Sequence, residues 1–355
     1  MRSLGVVALL VVACAPTPRP VVAPPPPPPD PPGLQLRPHA VNIIDARAAT
    51  ETAAFLNDQG GGLTHGAGVF YEHFDDAYDF LYVCSDGAVP ATNAGRHAAV
   101  NRRDMEGTGL NSLRVRAYPA RARRLRSVVA LLCGDLGNGP TLHETLHHWG
   151  IALNPSLGVG REGNQNFSGH WGAVGVHGQE GGFDPATLRC VDPPDARPPG
   201  CRAGPDGEIR VSVDRFSSFA NGGDSVPYAP LELYLMGLVP RAEAGGPYLV
   251  LDGARLVDWP EGSRRQTWAI TGTRTFTLDD VVRLHGERPL AAPVDRALRG
   301  AFVLFSAAPI SAERMARLER WAAVFGDDVT DPELLSFNRA TGGRATMSTR
   351  LGPAR

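Results

Sequence analysis

The chain has 355 residues, 43% of them hydrophobic and 20% charged, with a formal net charge of −2. That size and composition suit one large globular domain or two smaller lobes. The near-neutral balance argues against an extended nucleic-acid surface, and the Lys/Arg class is represented by Arg alone.

The chain opens on Met1-Arg2 and an apolar run over 4–13. A run of about ten residues has the length of a signal-peptide core and falls short of the ~20 residues that a membrane-spanning helix needs. It ends Val11-Val12-Ala13-Cys14, and a small residue followed by Cys resembles a bacterial lipobox. The resemblance implies cleavage before Cys14, a lipid on its sulfur and anchorage to the outer membrane or cell surface. The alternative is a plain cleaved signal peptide and secretion. Residues 15–38 are Pro-rich, with an unbroken Pro run over 24–29, and are expected to form a semi-rigid polyproline linker.

Four further cysteines, Cys84, Cys133, Cys190 and Cys201, make an even number in an exported chain and predict two disulfides, with three pairings open. Cys190 and Cys201 flank a Pro-rich loop that a bridge would staple locally. Cys84 and Cys133 each close an apolar run, so adjacent strands could bring them together. The lack of a Cys-x-x-Cys pair disfavours a thiolate zinc site.

Residues 46–56 have helical composition and break at Gly60-Gly61-Gly62. The stretches 79–84 and 127–133 are short and apolar and predict buried strands. Six Arg lie between 114 and 126, expected on a solvated edge or loop. A turn over 135–140 precedes Thr141, which stands three residues before Glu144 at capping-box spacing. A helix is predicted over about 141–152, ended by Asn154-Pro155. Residues 155–230 are rich in Gly, Pro and Asn and predict an irregular, ligand-bearing region. Further on, 277–286 predicts a helix with a Thr cap and a Gly stop, and 312–325 an amphipathic helix with Met315, Leu318, Trp321, Ala322 and Phe325 on one stripe.

The chemistry concentrates at His143-Glu144-Thr145-Leu146-His147. Two His at i and i+4 share a helix face, so both imidazoles can reach one ion at about 2.0–2.1 Å. Glu144, beside the first His, can lean toward the open side of such an ion and take a proton from a water. A third ligand must come from elsewhere. Of the ten His, five (143, 147, 148, 170 and 177) cluster in this part of the chain. His170, in Ser168-Gly169-His170-Trp171-Gly172, is the preferred third ligand, with Glu162, His177 and Glu180 as weaker options. His148 is turned about 100° from His147 and is expected to pack. In Tyr228-Ala229-Pro230-Leu231-Glu232-Leu233-Tyr234-Leu235-Met236-Gly237, Met236 could floor a metal site or end a core helix at Gly237. Tyr234 or His177 could polarise a carbonyl.

Together, His-Glu-x-x-His-His-Trp, the later His-Trp-Gly and the Tyr-Leu-Met-Gly stretch resemble the zincin metallopeptidases, in a metzincin-like form with a distant third His. The short metzincin continuation is matched at Gly150 but has Leu153 where its His would stand. The resemblance covers about residues 70–240. It implies an α+β zincin-like domain over 39–240 with a mixed sheet and an active-site helix, followed over 241–355 by a mostly loop and helical part or small lobe. The resemblance carries no substrate; the mechanism expected from the residues is hydrolysis of a protein or peptide substrate by Zn2+ on His143, His147 and His170, with Glu144 as general base. The rival reading is a surface-anchored binding protein whose zinc is structural or lost.

Overall fold

The structure, a computed structural model, describes residues 30–57, 63–86, 95–99, 122–134, 136, 140–149, 153, 155–159, 161–162, 165–166, 170–214, 226–260, 263 and 265–355. The signal-peptide and lipobox segment, the Pro run, Gly60-Gly61-Gly62, Arg114, Gly150 and Asn154 lie outside these residues, as does the side chain of Glu162. Residues 31–355 form one compact unit.

Folding begins ahead of residue 39. Strand β1 (Leu34–Leu36) pairs antiparallel with β2 (Ala40–Ile44). Helix α1 (Ala46–Leu56) starts at Asp45, whose carboxylate accepts from the Ala48 N–H at 2.8 Å, an N-cap. Helix α2 (Thr64–His73) follows, and then β3 (Phe80–Ser85), β4 (Gly95–Ala99) and β5 (Ser127–Leu131). The metal-motif helix α3 (Thr141–Leu146) leads into a 3-10 turn over His147–Trp149. The irregular region holds the two-residue strands β6 (Arg161–Glu162), β7 (Gln165–Asn166) and β8 (Arg189–Cys190), then β9 (Ile209–Asp214) and helix α4 (Pro230–Leu235). Strands β10 (Tyr248–Asp252), β11 (Arg255–Asp258), β12 (Arg265–Ile270) and β13 (Gly272–Phe276) come next, followed by α5 (Leu278–His285) and β14 (Ala297–Ser306). Helix α6 (Ala312–Phe325), α7 (Phe337–Ala340) and β15 (Thr346–Ser348) close the chain.

The fold is α+β, built on a mixed seven-stranded sheet in the order β1-β2-β14-β3-β5-β4, with β15 beside β14. Strands β2, β14, β3 and β5 run parallel, and continuous apolar runs such as Phe80-Leu81-Tyr82-Val83 suit strands covered on both faces. Alternate residues serve opposite layers. Leu81, Val83, Val128, Ala301 and Val303 pack with Phe55 and Phe70 of α1 and α2. Phe80, Tyr82, Val129, Phe302 and Leu304 pack with Leu142 and Leu146 of α3, Leu231 of α4 and Phe325 of α6. The central strand β14 and five other strands fall after residue 240, where the sequence pattern predicts only helices and loops. The signal was present in the apolar 301–305 run, but a short run of that kind does not by itself distinguish strand from helix. Both expected helices form there. Thr277 caps α5 and accepts from the Asp280 N–H, while α6 buries Met315, Leu318, Ala322 and Phe325 and leaves Trp321 half-buried.

Two of the arginines expected on a solvated edge have a structural task. Arg124 and Arg126 pair with the buried Asp79 at 2.9 and 3.1 Å, and the Arg299 N–H donates to the same carboxylate at 2.8 Å. These contacts join the starts of β3, β5 and β14. A second, four-stranded antiparallel sheet, β11-β12-β9-β8, has its own core around Phe183, Val211, Val213 and Trp268.

The disulfides are Cys84–Cys133 and Cys190–Cys201. Two such bridges fit a non-reducing, extracytoplasmic compartment. Among the described residues, no helix is long and apolar enough to cross a membrane. Cys84 and Cys133 are separated by 49 residues, so replacing both by Ser should cost about 4 kcal/mol through the chain entropy regained on unfolding. The check is a lower urea midpoint with an intact native circular-dichroism spectrum.

Candidate metal centre

Helix α3 begins one residue earlier than capping-box spacing implies. Its N-cap is Pro140, with no side-chain cap, and Thr141 is the first helical residue. A residue inside the first turn cannot cap that turn, so the capping-box role foreseen for Thr141 and Glu144 is not adopted; Thr141 is buried, and its carbonyl accepts from Thr145 Oγ1 at 2.6 Å. The Glu144 carboxylate is thereby released from helix capping, while its N–H bonds to Pro140 O at 2.8 Å.

The predicted helix over 141–152 is α-helical only to Leu146, and His147-His148-Trp149 tighten into a 3-10 turn. His147 keeps a helical backbone (φ −55, ψ −22), so the i, i+4 relation survives. The His143 and His147 ring centroids lie 4.8 Å apart. His148 turns away, as the 100° step requires. It is fully buried, its Nδ1 lies 2.8 Å from Ser127 Oγ, and its ring packs edge-on to Phe80.

The structure brings His170 to this helix. Its ring stacks on His143 with centroids 5.0 Å apart, and the two Nε2 atoms lie 3.1 Å from each other. His143 Nδ1 is 2.7 Å from the Gln179 carbonyl, which accepts its proton and leaves the Nε2 lone pair facing His170. Outer contacts of this kind fix the tautomer of a metal-binding histidine.

The fourth member is Glu180, one of the weaker sequence candidates. Its oxygens lie 3.3 Å from His147 Nδ1, 3.5 Å from His143 Nδ1 and 3.7 Å from His170 Nε2. His143, His147, His170 and Glu180 each offer a ligand atom, and these atoms all fall within 4.8 Å of one another. The closest approaches are His143 Nε2–His170 Nε2 at 3.1 Å and His147 Nδ1–Glu180 Oε1 at 3.3 Å, near the roughly 3.3 Å between atoms bonded to one zinc at about 2.0–2.1 Å, and the remaining pairs lie within 4.8 Å.

The electrostatics favour a cation at this point. Glu180 is fully buried, and among the described residues neither carboxylate oxygen has a hydrogen-bond donor. Burial pushes its carboxyl well above the usual range, and the nearby Glu232 and Glu144 carboxylates push it the same way. Uncompensated charge of this kind is costly unless paired or bound to a metal. Burial pulls the His143 imidazolium down to about 4, partly opposed by the Gln179 carbonyl, so the ring is neutral near pH 7. Three imidazoles and one carboxyl group form a donor set suited to a divalent ion.

Glu180 reaches the site on a tight loop. Gly178 and Gly181 exchange backbone hydrogen bonds of 3.1 and 3.2 Å, leaving Gln179 and Glu180 at the tip. Gly181 and Gly182 have φ of 91° and 81°, in the region that favours glycine, and His177 takes φ 53° just before the loop. His177 is half-buried and outside the four-residue group.

Tyr234 is placed for a different task from carbonyl polarisation. Its hydroxyl donates to Glu287 at 3.4 Å and accepts from the Arg288 N–H at 2.9 Å, neither of which belongs to the cluster. Met236 caps the C-terminus of α4 and is fully buried in the core that also holds Leu142 and Leu146, so the core-helix alternative describes it. Gly237 follows with φ 72°, and a Cβ there would come within 2.9 Å of the Pro289 carbonyl. A sequence signal for Glu180 did exist in Gly178-Gln179-Glu180-Gly181-Gly182, a single carboxylate bracketed by glycines.

No protein-family model matches the chain, and no curated protein or solved structure matches it either. The chain thus carries, on its own residues, a His-His-His-Glu group, with His143 and Glu180 buried and His147 and His170 half-buried, that could hold a metal ion.

Proposed function

We propose that the protein is an exported zinc-dependent metallopeptidase, with His143, His147 and His170 holding the ion and Glu144 acting as general base. The observation carrying this reading is the convergence of three imidazoles on one point, with Glu144 one residue from the first of them on a buried helix. A zinc ion held there supplies Lewis acidity and brings the pKa of a water toward neutrality. Glu144 then has the task of taking the proton of the attacking water and delivering it to the amide nitrogen as the C–N bond breaks, which yields one acid and one amine. The substrate class is protein or peptide. The N-terminal segment would tether the domain through a lipid on Cys14, with residues 15–38 as the spacer.

Purified wild-type protein should contain one equivalent of zinc and should cleave casein or unfolded peptides, with cleavage lost on chelation and restored by zinc. Protein with no zinc affinity sinks the proposal. Zinc without hydrolysis of casein, peptide or ester substrates favours a second reading, which Glu180 itself supports. Four protein ligands close a coordination sphere, as structural sites do. The domain would then be a binding protein whose zinc braces the loop to α3.

A further inference from the structure

Glu232 lies in the first turn of α4, and its side chain is fully buried. Among the described ion pairs it has no Arg partner, and it is instead enclosed by donors. Its Oε1 accepts from Trp171 Nε1 and from the Glu180 N–H, both at 2.9 Å. Its Oε2 accepts from the Gln179 N–H at 3.0 Å and the Ala229 N–H at 2.8 Å. Only the Ala229 contact is local to α4. The other three come from the segment that carries His170 and Glu180.

The positions of those donors matter. Trp171 follows His170 directly, and Glu180 donates with its own amide. The Trp171 N–H also bonds to Glu180 O at 2.9 Å, so the two candidate ligands sit on paired backbone. A Cβ at Gly178 would collide with the Glu232 carboxylate, so the loop descends onto Glu232 as closely as a glycine backbone permits. A charged acceptor binding several backbone and indole N–H groups is among the stronger hydrogen-bonded arrangements in a protein interior.

We infer that Glu232 is a positioning residue for the metal centre: by clamping Trp171, Gln179 and Glu180, it fixes where His170 and Glu180 stand relative to α3 without touching the ion. The inference rests on reading His143, His147, His170 and Glu180 as that centre. A glutamine in its place keeps the volume but turns one pair of acceptor sites into donors that face N–H groups. The loop must then shift.

The test uses the full chain loaded with Co2+, whose visible bands report coordination geometry, together with zinc affinity from chelator competition. Wild type should bind both ions. Glu232→Gln should remain folded, bind about 10–100-fold more weakly, as outer partners of metal ligands do, and show shifted cobalt bands. If circular dichroism shows Glu232→Gln unfolded, Trp171→Phe decides the matter. It removes one donor and should give a smaller loss of affinity with a band shift. Wild-type bands in the folded variant, whether affinity falls or holds, overturn the inference, because a merely structural role leaves the coordination geometry alone. Failure of wild type to bind either ion overturns the metal centre itself, which is a separate result.

Discussion

Glu144→Gln should lower peptide hydrolysis by about 10^2–10^4-fold while the protein keeps its zinc. The substitution preserves shape on α3 and removes only the capacity to take a proton. Glu144 has no capping role to lose, because Pro140 occupies the N-cap, so the helix should melt as in wild type. The paired measurement is kcat on a peptide substrate and zinc content on the same preparation. Loss of zinc together with loss of turnover would make Glu144 part of the metal's support and remove it as the base. Unchanged turnover with zinc in place would remove it as well, and would send the search for the base to another group beside the cluster.

His170→Ala should lower zinc affinity by at least about 100-fold, the upper end of what outer-shell partners contribute. His170 arrives from a loop, with its side chain 15% exposed, so truncation leaves the apolar core intact. Chelator competition at pH 7 reads the effect cleanly, because burial holds the His143 ring neutral there and no proton competes at that nitrogen. Stoichiometric tight zinc in the variant would assign the ion to His143, His147 and Glu180 alone. A raised chelator sensitivity of thermal stability in wild type, absent in His170→Ala, is the companion result, since a ligand bound only to the native state stabilises it by mass action.

Half of the candidate centre was legible because a helix turns a spacing into a direction. His143 and His147 need only the i, i+4 rule to meet, and His148 is excluded by the same geometry. His170 was reachable by counting histidines and asking how far a loop could return. Glu180 was harder, because its place depends on a two-residue tip between Gly178 and Gly181 and on the buried Glu232 beneath it, neither of which has a period to read. Tyr234 looked available for chemistry because sequence cannot show that Glu287 and Arg288 engage its hydroxyl. The same distinction holds for the fold. Strands β3 and β5 announce themselves as bounded apolar runs, and α6 as a stripe. β3 pairs with β5 on one side, but on the other with β14, more than two hundred residues later, and such pairings leave no local mark.

That late strand governs the order in which the molecule can assemble. β2 and β3 never pair with each other; β14 lies between them, hydrogen-bonded to both. A growing chain can collapse α1 and α2 onto nascent strands, yet its sheet stays split until residue 306 has emerged. Non-local closure of this kind is slow, and it leaves strand edges open in the meantime. The platform beneath α3 is therefore finished only once β14 has been made, and a chain shortened after α5 would carry every candidate ligand with no central strand to hold them in register.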